Sequence, residues 1–364
     1  MKPLRQLLIG LIFTALLGSG CALMLPSKAI TEDGWGTEGP YRGVFHVHSE
    51  HSHDSAITFE DARKTAKKAN LDFVVITDHN NLDGRAAYAD GEYEPYPLLV
   101  LGTEITTGDG HLIALGIDEY PQKQSTKELV KWIHDRGGYV VAAHPLSVRT
   151  PWTDWSIKDI DGFEVYNFGH AAYTQNKVLL ALKALFYPPH KFLKSTQDAP
   201  LDHIRFWEQN LTGNHTAIVG AADAHIHFEF LGMSPENLRM YFESVTTYVI
   251  ANRLEEKAVV KAIGEGRSYL AFEVRGDASG FTFTAVSGSR ELEMGDTARS
   301  GKSVEFKAAS PGRAWMYLIK NGQVVESRRG TELRFTTADA GVYRVEVHKD
   351  GGLWILSNPI YVEP

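Results

Sequence analysis

The sequence is poor in residues and patterns that several common kinds of chemistry require. Cysteine occurs once in 364 residues, at Cys21, which excludes intramolecular disulfides and thiolate zinc sites. The sequence has no glycine-rich phosphate loop and no nucleophile-elbow serine motif. Lysine and arginine (37) are outnumbered by aspartate and glutamate (45), so the formal charge is −8. That charge argues against a binder of nucleic-acid duplexes, because such proteins are usually basic.

The amino terminus has the pattern of an export signal. Two basic residues precede an apolar run at 7–17, which is too short to span a bilayer because a spanning helix needs about 20 apolar residues. Three small residues then precede Cys21, an order that resembles a bacterial lipoprotein signal. We predict a signal peptide at 1–21 and a linker at 22–42. Either a lipidated Cys21 tethers the exported protein to a membrane, or the protein is periplasmic or extracellular with Cys21 removed or inert.

Residues 43–273 alternate short apolar runs with helical patterns, which predicts an α/β sheet or barrel. Several runs are apolar on both faces, as strands covered on both sides must be. The runs are Gly43–His48, Phe73–Thr77, Leu98–Ile105, Leu112–Ile117, Tyr139–Ala143, Phe163–Tyr166, Ala217–Ala221 and Thr247–Ala251. Predicted helices are 58–70 capped by Thr58 with Asp61, 125–136 capped by Ser125, and 253–265 capped by Asn252 with Glu255. The aromatic-rich, helix-like stretch 168–215 is predicted to be an insertion in this domain.

After about residue 274 the period of the pattern changes to two. Apolar and polar residues alternate from Val304 and again from Tyr343, where Arg344 is one of the polar positions. The turn pairs Asn321-Gly322 and Asp350-Gly351 separate such runs. We predict a small all-β, sandwich-like domain at 274–364.

Histidines and acidic residues recur at the ends of the apolar runs. Most follow the carboxyl end of a predicted strand, where barrels and open α/β sheets build their sites. One histidine at a strand end is more often structural than a ligand, but this repetition on one edge indicates more ligands than a single four-coordinate ion needs. Nitrogen and oxygen ligands suit zinc, manganese or iron. The residues are His46, His48, Asp78, His79, Glu104, His111, His144, Asp223 and His225, with His53 and Asp54 just beyond the first run.

These blocks resemble the PHP family, named for polymerase and histidinol phosphatase, a group of metal-dependent phosphoesterases. The resemblance covers residues 43 to about 273, and a run like 161–167 is also familiar from this group. It implies a distorted (β/α)7 barrel with a trinuclear metal site, whereas the number of ligands by itself predicts two or three divalent ions. The blocks are His46-Val47-His48-Ser49, Thr77-Asp78-His79, Gly102-Thr103-Glu104, His144-Pro145 and Asp223-Ala224-His225.

The resemblance assigns roles residue by residue. His46, His48, His79, Glu104, His111, His144, Asp223 and His225 match metal-ligand positions, with Glu104 as the bridging carboxylate. The ninth ligand is either His53 or Asp54, because family members differ in the spacing of this residue.

Other residues near the blocks have less specific roles. Glu104, Asp78 and His225 are the predicted catalytic residues, although Asp78 can equally cap a strand end. Arg149 either contacts an anionic group of the substrate or is a solvated loop residue. His51, His170 and His227 match no block, and we interpret them as surface residues or as residues behind the ligands.

The predicted function is metal-dependent hydrolysis of a small phosphate ester or nucleotide through a metal-bridging hydroxide. The β domain and its ending at 354–359 resemble an exported branch of the family that includes hydrolases of carbamate esters such as carbaryl. An alternative is therefore a carbamate, amide or carboxylic ester hydrolase with the same metals. A third hypothesis is a metal-loaded surface protein that binds a ligand through the β domain. The expected partner is a small-molecule substrate.

Overall fold

A computed structural model describes residues 39–174, 179, 182–183, 186–197, 199–226 and 238–364. The predicted signal at 1–21, most of the predicted linker, His227 and parts of the predicted insertion lie outside the described residues. Within the described part, no helix has the length and apolar character needed to cross a membrane.

Seven strands close into a barrel. Each strand pairs with the next, and the seventh pairs back with the first. The fourth strand is antiparallel to both neighbours, and the other pairings are parallel. This confirms the predicted distorted seven-stranded α/β barrel. The strands are β1 Tyr41–Val47, β2 Phe73–His79, β3 Leu98–Thr107, β4 Gly110–Leu115, β5 Tyr139–Ala142, β6 Gly162–Asn167 and β7 Ala217–Ala224.

Eight helices are described around and below the barrel. They are α1 Phe59–Lys68, α2 Asp83–Asp90, α3 Thr126–His134, α4 Phe168–Thr174, α5 Pro189–Thr196, α6 Leu201–Asn210, α7 Leu238–Phe242 and α8 Glu256–Gly264. Two short 3₁₀ helices, Thr212–Asn214 and Glu273–Arg275, are also among the described residues. Helix α8 touches β3, β5 and β7, so it plugs the barrel at the end away from the histidines.

The predicted caps are correct for two helices and wrong for the third. The Thr58 hydroxyl accepts a hydrogen bond from the Asp61 N–H, and Ser125 forms a capping box with Glu128. The third helix begins only at Glu256, and its cap residue makes no side-chain hydrogen bond. Asn252 is not its cap because the chain bends through 252–255 before the helix starts.

The eighth predicted run is not a barrel strand. Strand β8, Thr246–Val249, is antiparallel to the first half of β1 at Tyr41–Gly43. The second half of that β1 edge is already paired with β7. Strand β9, Ser268–Ala271, pairs with β8 and continues the sheet toward the carboxyl-terminal strands.

The carboxyl-terminal part is all β, as predicted. Its strands form two layers over one apolar core, because the long strand β13 is irregular between Ala309 and Ala314 and pairs with β10 before this point and with β15 after it. Asn321 and Asp350 have φ of 49° and 51° ahead of their glycines, as hairpin turns require. The strands are β10 Thr282–Ser287, β11 Arg290–Glu293, β12 Thr297–Arg299, β13 Val304–Lys320, β14 Gln323–Thr337, β15 Gly341–Lys349, β16 Gly352–Ser357 and β17 Ile360–Glu363.

Arg344 departs from the predicted alternation on β15, because it is buried although its polar position predicts exposure. Its guanidinium Nε and Nη2 donate to Glu208 Oε1 of α6 at 2.8 and 2.6 Å, and Nη1 donates to Glu346 at 2.7 Å. Barrel and β layers therefore cover this charged group from both sides.

Candidate metal centre

One rim of the barrel gathers the histidines and carboxylates. Strands β1, β2, β3 and β7 bring site residues at or near their carboxyl ends, and His144 follows β5. His111 stands at the start of β4, yet it reaches the same rim because β4 runs antiparallel to β3. The reversal of this one strand thus explains how a residue at an amino end joins the others.

Three of these residues have left-handed backbone conformations, which set the directions of their side chains. His46, His144 and Asp223 have φ of 66°, 29° and 51°, in the left-handed region that His and Asp enter more readily than most residues. The pairing register shifts between Val44 and Val47 on β1, so one extra residue is accommodated there. Such strain costs on the order of 1–3 kcal/mol per residue and is typical of functional sites. The extra residue therefore lets His46 face the interior directly after the interior residue Phe45, and His46 and His48 then share a face on either side of the outward Val47.

Glu104 lies at the centre of the cluster, and its side chain is 1% exposed. Its Oε1 is 2.8 Å from His111 Nδ1 and 2.9 Å from His144 Nε2. Its Oε2 is 3.1 Å from His46 Nε2 and 3.2 Å from His48 Nε2. Oε2 also lies 3.4 Å from His79 Nδ1, so imidazoles face both carboxylate oxygens, as they would around a carboxylate that bridges two cations.

Asp54 organises a second group on the other side of His48. Its Oδ2 is 3.3 Å from both His79 Nε2 and His225 Nε2. Ligand atoms of His48, Asp54, His79 and His225 lie within 4.8 Å of one another. His53 lies outside these groups of ligand atoms: its side chain is 74% exposed, and its Nε2 is 4.0 Å from Asp54 Oδ2.

Asp223 links the two groups. Its Oδ1 lies 3.4 Å from His46 Nε2 and 3.5 Å from His225 Nδ1. The structure therefore brings eight predicted ligands together with Asp54, and it leaves His53 outside.

The donor set fits divalent cations. His46 Nε2 is 3.0 Å from His48 Nε2, and both are 3.1–3.2 Å from Glu104 Oε2. Such spacings match donors about 2.0–2.2 Å from a shared ion. His79 Nδ1 is buried without a hydrogen-bond partner, which is costly unless another group satisfies it. Mixed imidazole and carboxylate ligands suit borderline transition metals.

The electrostatics of the cluster also favour cations. Burial opposes the charged form of His46, but Glu164, Glu104 and Asp223 outweigh it and raise its pKa well above 6.5. Burial also opposes ionisation of Glu104, yet His46 and the hydrogen bonds from its other imidazole neighbours hold its pKa well below 4.5. Burial, reinforced by His225, lowers the pKa of His48 to about 3, so this ring is neutral and able to bind metal. The site thus concentrates ionised carboxylates among imidazoles.

Glu164 is a residue behind the cluster that motif reasoning did not single out. It is fully buried on β6 and receives a hydrogen bond from His46 Nδ1 at 2.6 Å. It also accepts from the His144 backbone N–H at 2.6 Å and from Asn167 Nδ2 at 2.9 Å. It therefore orients one imidazole and the backbone that carries another. Its signal in the sequence was one acidic residue within an otherwise apolar run.

Asp78 does not join the cluster, although it is a predicted catalytic residue. Its carboxylate accepts from the Ser49 N–H at 2.5 Å and the Ser49 hydroxyl at 2.7 Å. Its neighbours on β2 place it on the opposite face of the strand from His79. It holds the loop after His48, while Glu104 and His225 lie within the cluster.

The remaining candidates lie around the rim. His170 is half-buried on α4, and His51 lies near Phe59, with ring centroids 5.2 Å apart. Arg149 is on the exposed loop that follows His144.

The barrel carries a cluster of imidazoles and carboxylates that could hold metal ions. The model of the PHP domain matches residues 45–253, so the chain belongs to the PHP domain family. This confirms the predicted family, while the exported branch remains a prediction. The uncharacterized protein MJ1587 of Methanocaldococcus jannaschii is 32% identical over 148 residues, which are 37% of this chain and 86% of that protein.

Two solved structures show lower similarity. A two-domain protein from Bacteroides vulgatus, containing a predicted PHP-like metal-dependent phosphoesterase, has 15% identity and a TM-score of 0.43, covering 93% of this chain and 100% of that chain. An amidohydrolase from Chromobacterium violaceum has 17% identity and a TM-score of 0.32, covering 53% of this chain and 90% of that chain.

Proposed function

We propose that the protein is a metal-dependent hydrolase that cleaves small phosphate esters. The observation that carries the proposal is Glu104, which is buried at the centre of the cluster with imidazoles at both of its carboxylate oxygens. A carboxylate in this position suits a site of two or three zinc, manganese or iron ions. Membership in the PHP family, whose resemblance implies phosphoesterase chemistry, supports the same reaction.

Different residues of the chain would hold the ions, orient the imidazoles and support the loop after β1. Glu104, Asp54, Asp223 and the surrounding imidazoles would hold the ions, and Glu164 keeps His46 Nε2 directed at them through its bond to Nδ1. Asp78 holds the loop that leads from His48 to Asp54. When bound, divalent ions lower the pKa of water and neutralise charge on substrate oxygens.

Elemental analysis combined with a substrate panel tests the proposal. Protein reconstituted with zinc, manganese or iron is expected to hold at least two ions per chain and to hydrolyse p-nitrophenyl phosphate, its bis ester or nucleotides. Turnover of naphthyl carbamates or esters alone would instead favour the alternative hydrolase. Fewer than two ions, or no turnover of any substrate, would contradict the proposal and leave the binding-protein hypothesis.

Two adjacent residues offer a matched pair of variants. Asp54→Ala is expected to lose metal and at least about 100-fold in kcat/KM, because this carboxylate lies between two imidazoles. His53→Ala removes a largely exposed side chain and is expected to change neither by more than about threefold. The reverse result would make His53 the ligand.

We also propose that the protein is exported and tethered through a lipidated Cys21. The signal-like amino terminus supports this. The backbone N–H of Gly39 bonds Ala251 at the amino end of β1, so a tether would leave from the end of the barrel opposite the cluster. Such a tether would leave the site open to small-molecule substrates. In cells, Cys21→Ser is expected to move the protein from the membrane fraction to the soluble fraction, and an unchanged distribution would contradict the tether.

A further inference from the structure

The sheet of β14, β13 and β15 has one face on the apolar core and one face outside it. Met316 and Leu318 of β13 point into the core and are fully buried. Because side chains alternate along a strand, Trp315, Tyr317 and Ile319 share the other face. Ile319 is buried beside the contact with helix α6, whereas Trp315 at the other end of this face is 44% exposed. The outer face is therefore open around Trp315.

Two aromatic side chains occupy this open face. The ring centroids of Trp315 and Tyr317 are 6.2 Å apart, and their planes differ by 20°, so the two rings present their faces in nearly the same direction. Within the described part of the chain, neither the indole N–H nor the phenol hydroxyl makes a hydrogen bond. Aromatic rings with an apolar face and an available polar group are typical of binding surfaces.

A histidine is fixed beside the rings. His348 of β15 pairs with Trp315 across the sheet, and its ring meets that of Tyr317 nearly edge-on, with 5.3 Å between centroids and 82° between planes. Its Nε2 is 2.8 Å from Glu346 Oε2, and the other oxygen of Glu346 accepts from Arg344 Nη1 at 2.7 Å. Both oxygens of this carboxylate are engaged, and His348 Nδ1 has no hydrogen bond to any described residue.

Two arginines on the open face have no acidic partner. Arg329 of β14 pairs with Trp315 across the sheet, and Arg313 precedes Trp315 by two positions on β13. Both side chains are exposed, and neither makes a hydrogen bond or an ion pair with a residue that the structure describes. Acidic residues outnumber basic ones by 45 to 37 in the chain, yet this face is locally positive. Its charge is complementary to an anionic ligand.

We propose that this open face is a binding site for an acidic polysaccharide, a chain of sugar rings that carry carboxylates. The C–H face of a sugar ring packs on the face of an aromatic ring, which is the negative side of its quadrupole. The carboxylate pairs with Arg329 or Arg313, because a planar guanidinium donates two parallel N–H groups to a carboxylate. The hydroxyls of the sugar bond the Tyr317 hydroxyl and His348 Nδ1 at the margin of the rings.

The position of Arg329 favours a sugar acid over a single-stranded nucleic acid, which also stacks on aromatic rings. Arg329 lies directly across from Trp315, so it reaches a charge carried by the same unit that covers the Trp315 ring. A uronic acid carries its carboxylate on the stacked ring itself. A nucleotide carries its phosphate beyond the ribose, one sugar away from the stacked base. The binding site uses no residue of the metal cluster, and the inference does not depend on the proposed function.

Titration of the metal-loaded full chain with hexagalacturonate, followed by calorimetry and tryptophan fluorescence, tests the inference. The fully methyl-esterified hexamer has the same rings without the charges and is expected to bind at least about tenfold more weakly. Trp315→Ala and Arg329→Gln are each expected to weaken binding of the acid hexamer by about tenfold or more. Trp315→Phe keeps an aromatic ring and is expected to retain most of the affinity, which separates loss of the ring from loss of folding.

Two variants are matched controls. Val324→Ala removes an exposed apolar side chain from the same hairpin, and Arg253→Gln removes an exposed arginine from the barrel side. Both are expected to bind the acid hexamer as wild type does. Equal binding of the acid and esterified hexamers, tighter binding of oligothymidylate than of the acid hexamer, or binding of none of the three would overturn the inference.

Uronic acids also bind metal ions, so a further variant separates this face from the metal cluster. Asp54→Ala, which is expected to lose metal, should bind hexagalacturonate as wild type does. Loss of binding in Asp54→Ala together with unchanged binding in Trp315→Ala would place the ligand at the metal cluster and contradict the proposed site.

Discussion

At the scale of single residues, a buried carboxylate orients a histidine of the cluster. Glu164 shows this most directly, because it bonds the Nδ1 of His46 and leaves Nε2 to face the cluster. A residue of this kind binds nothing itself, yet it sets the tautomer and direction of a ligand.

Glu164→Gln removes the charge and retains the size of the side chain. We expect metal affinity to fall by about 10–100-fold, because the amide no longer selects one His46 tautomer. Competition with a chelator measures the affinity, and Glu92→Gln on an exposed turn is the control. Unchanged affinity in Glu164→Gln would mean that His46 is oriented by other contacts.

The ionisation of Glu346 makes the free energy of unfolding depend on pH in the acid range. Burial opposes its ionisation, but hydrogen bonds from His348 and Arg344 outweigh it and lower its pKa from 4.5 to about 2. A lowered pKa contributes stability above the unfolded value of 4.5 that is lost as pH falls toward 2, a total of about 3 kcal/mol. Urea titrations across this range should show a smaller acid loss for Glu346→Gln than for wild type. The exposed control Glu291→Gln should follow wild type.

At the scale of elements, a bulge in one strand and the reversed direction of another bring histidines to the same rim of the barrel. The bulge in β1 turns His46 inward, and the reversal of β4 returns His111 to the same edge. Close strand packing imposes a further restriction, since Gly43 of β1 lies directly against the buried Phe73 ring of β2. A side chain at this point has no room.

Gly43→Ala should therefore destabilise the protein. The new Cβ would overlap the Phe73 ring, which is fully buried, and we expect a loss of about 1–3 kcal/mol. Gly108→Ala in the β3–β4 turn meets nothing within 4 Å and should change stability by less than about 0.5 kcal/mol. Urea unfolding compares the two, and equal midpoints would contradict the packing argument.

At the scale of the whole molecule, the β part is joined to the barrel through buried polar groups. The amide of Asn358 is fully buried, accepts from the Ile218 N–H at 2.8 Å and donates to the Ile218 carbonyl at 3.0 Å. It thereby supports the start of β7, whose other end carries Asp223. Buried Arg344 joins α6 to β15 in the same interface.

Asn358→Ala should weaken both parts of the molecule together. The substitution removes the hydrogen bonds of Asn358 to the backbone N–H and carbonyl of Ile218. Each buried group left unsatisfied costs about 1–3 kcal/mol. Metal-cluster and β-layer probes are expected to show one shared transition at lower urea. Asn210→Ala, which removes an exposed side chain at the end of α6, is the control. Separate transitions would show that the two parts unfold independently.

Much of the fold and of the site could be predicted from local signals. Buried parallel strands are apolar on both faces, and caps and hairpin turns depend on a few neighbouring residues, so Thr58, Ser125 and Asn321 were interpreted correctly. Asn252 and Arg344 were not, because one lies in a bend and the other is covered by Glu208 from α6. These outcomes depend on packing between distant segments.

The sequence by itself determined the family, the barrel and the residue types of the centre, since ligand chemistry and strand periodicity are local properties. The tertiary structure decided which ligands face which oxygen of Glu104, that Asp54 enters the cluster and His53 does not, and that Glu164 stands behind His46. Such choices rest on backbone bulges and on contacts between residues far apart in the chain. No local pattern encodes the few ångströms that separate a residue of the cluster from its exposed neighbour.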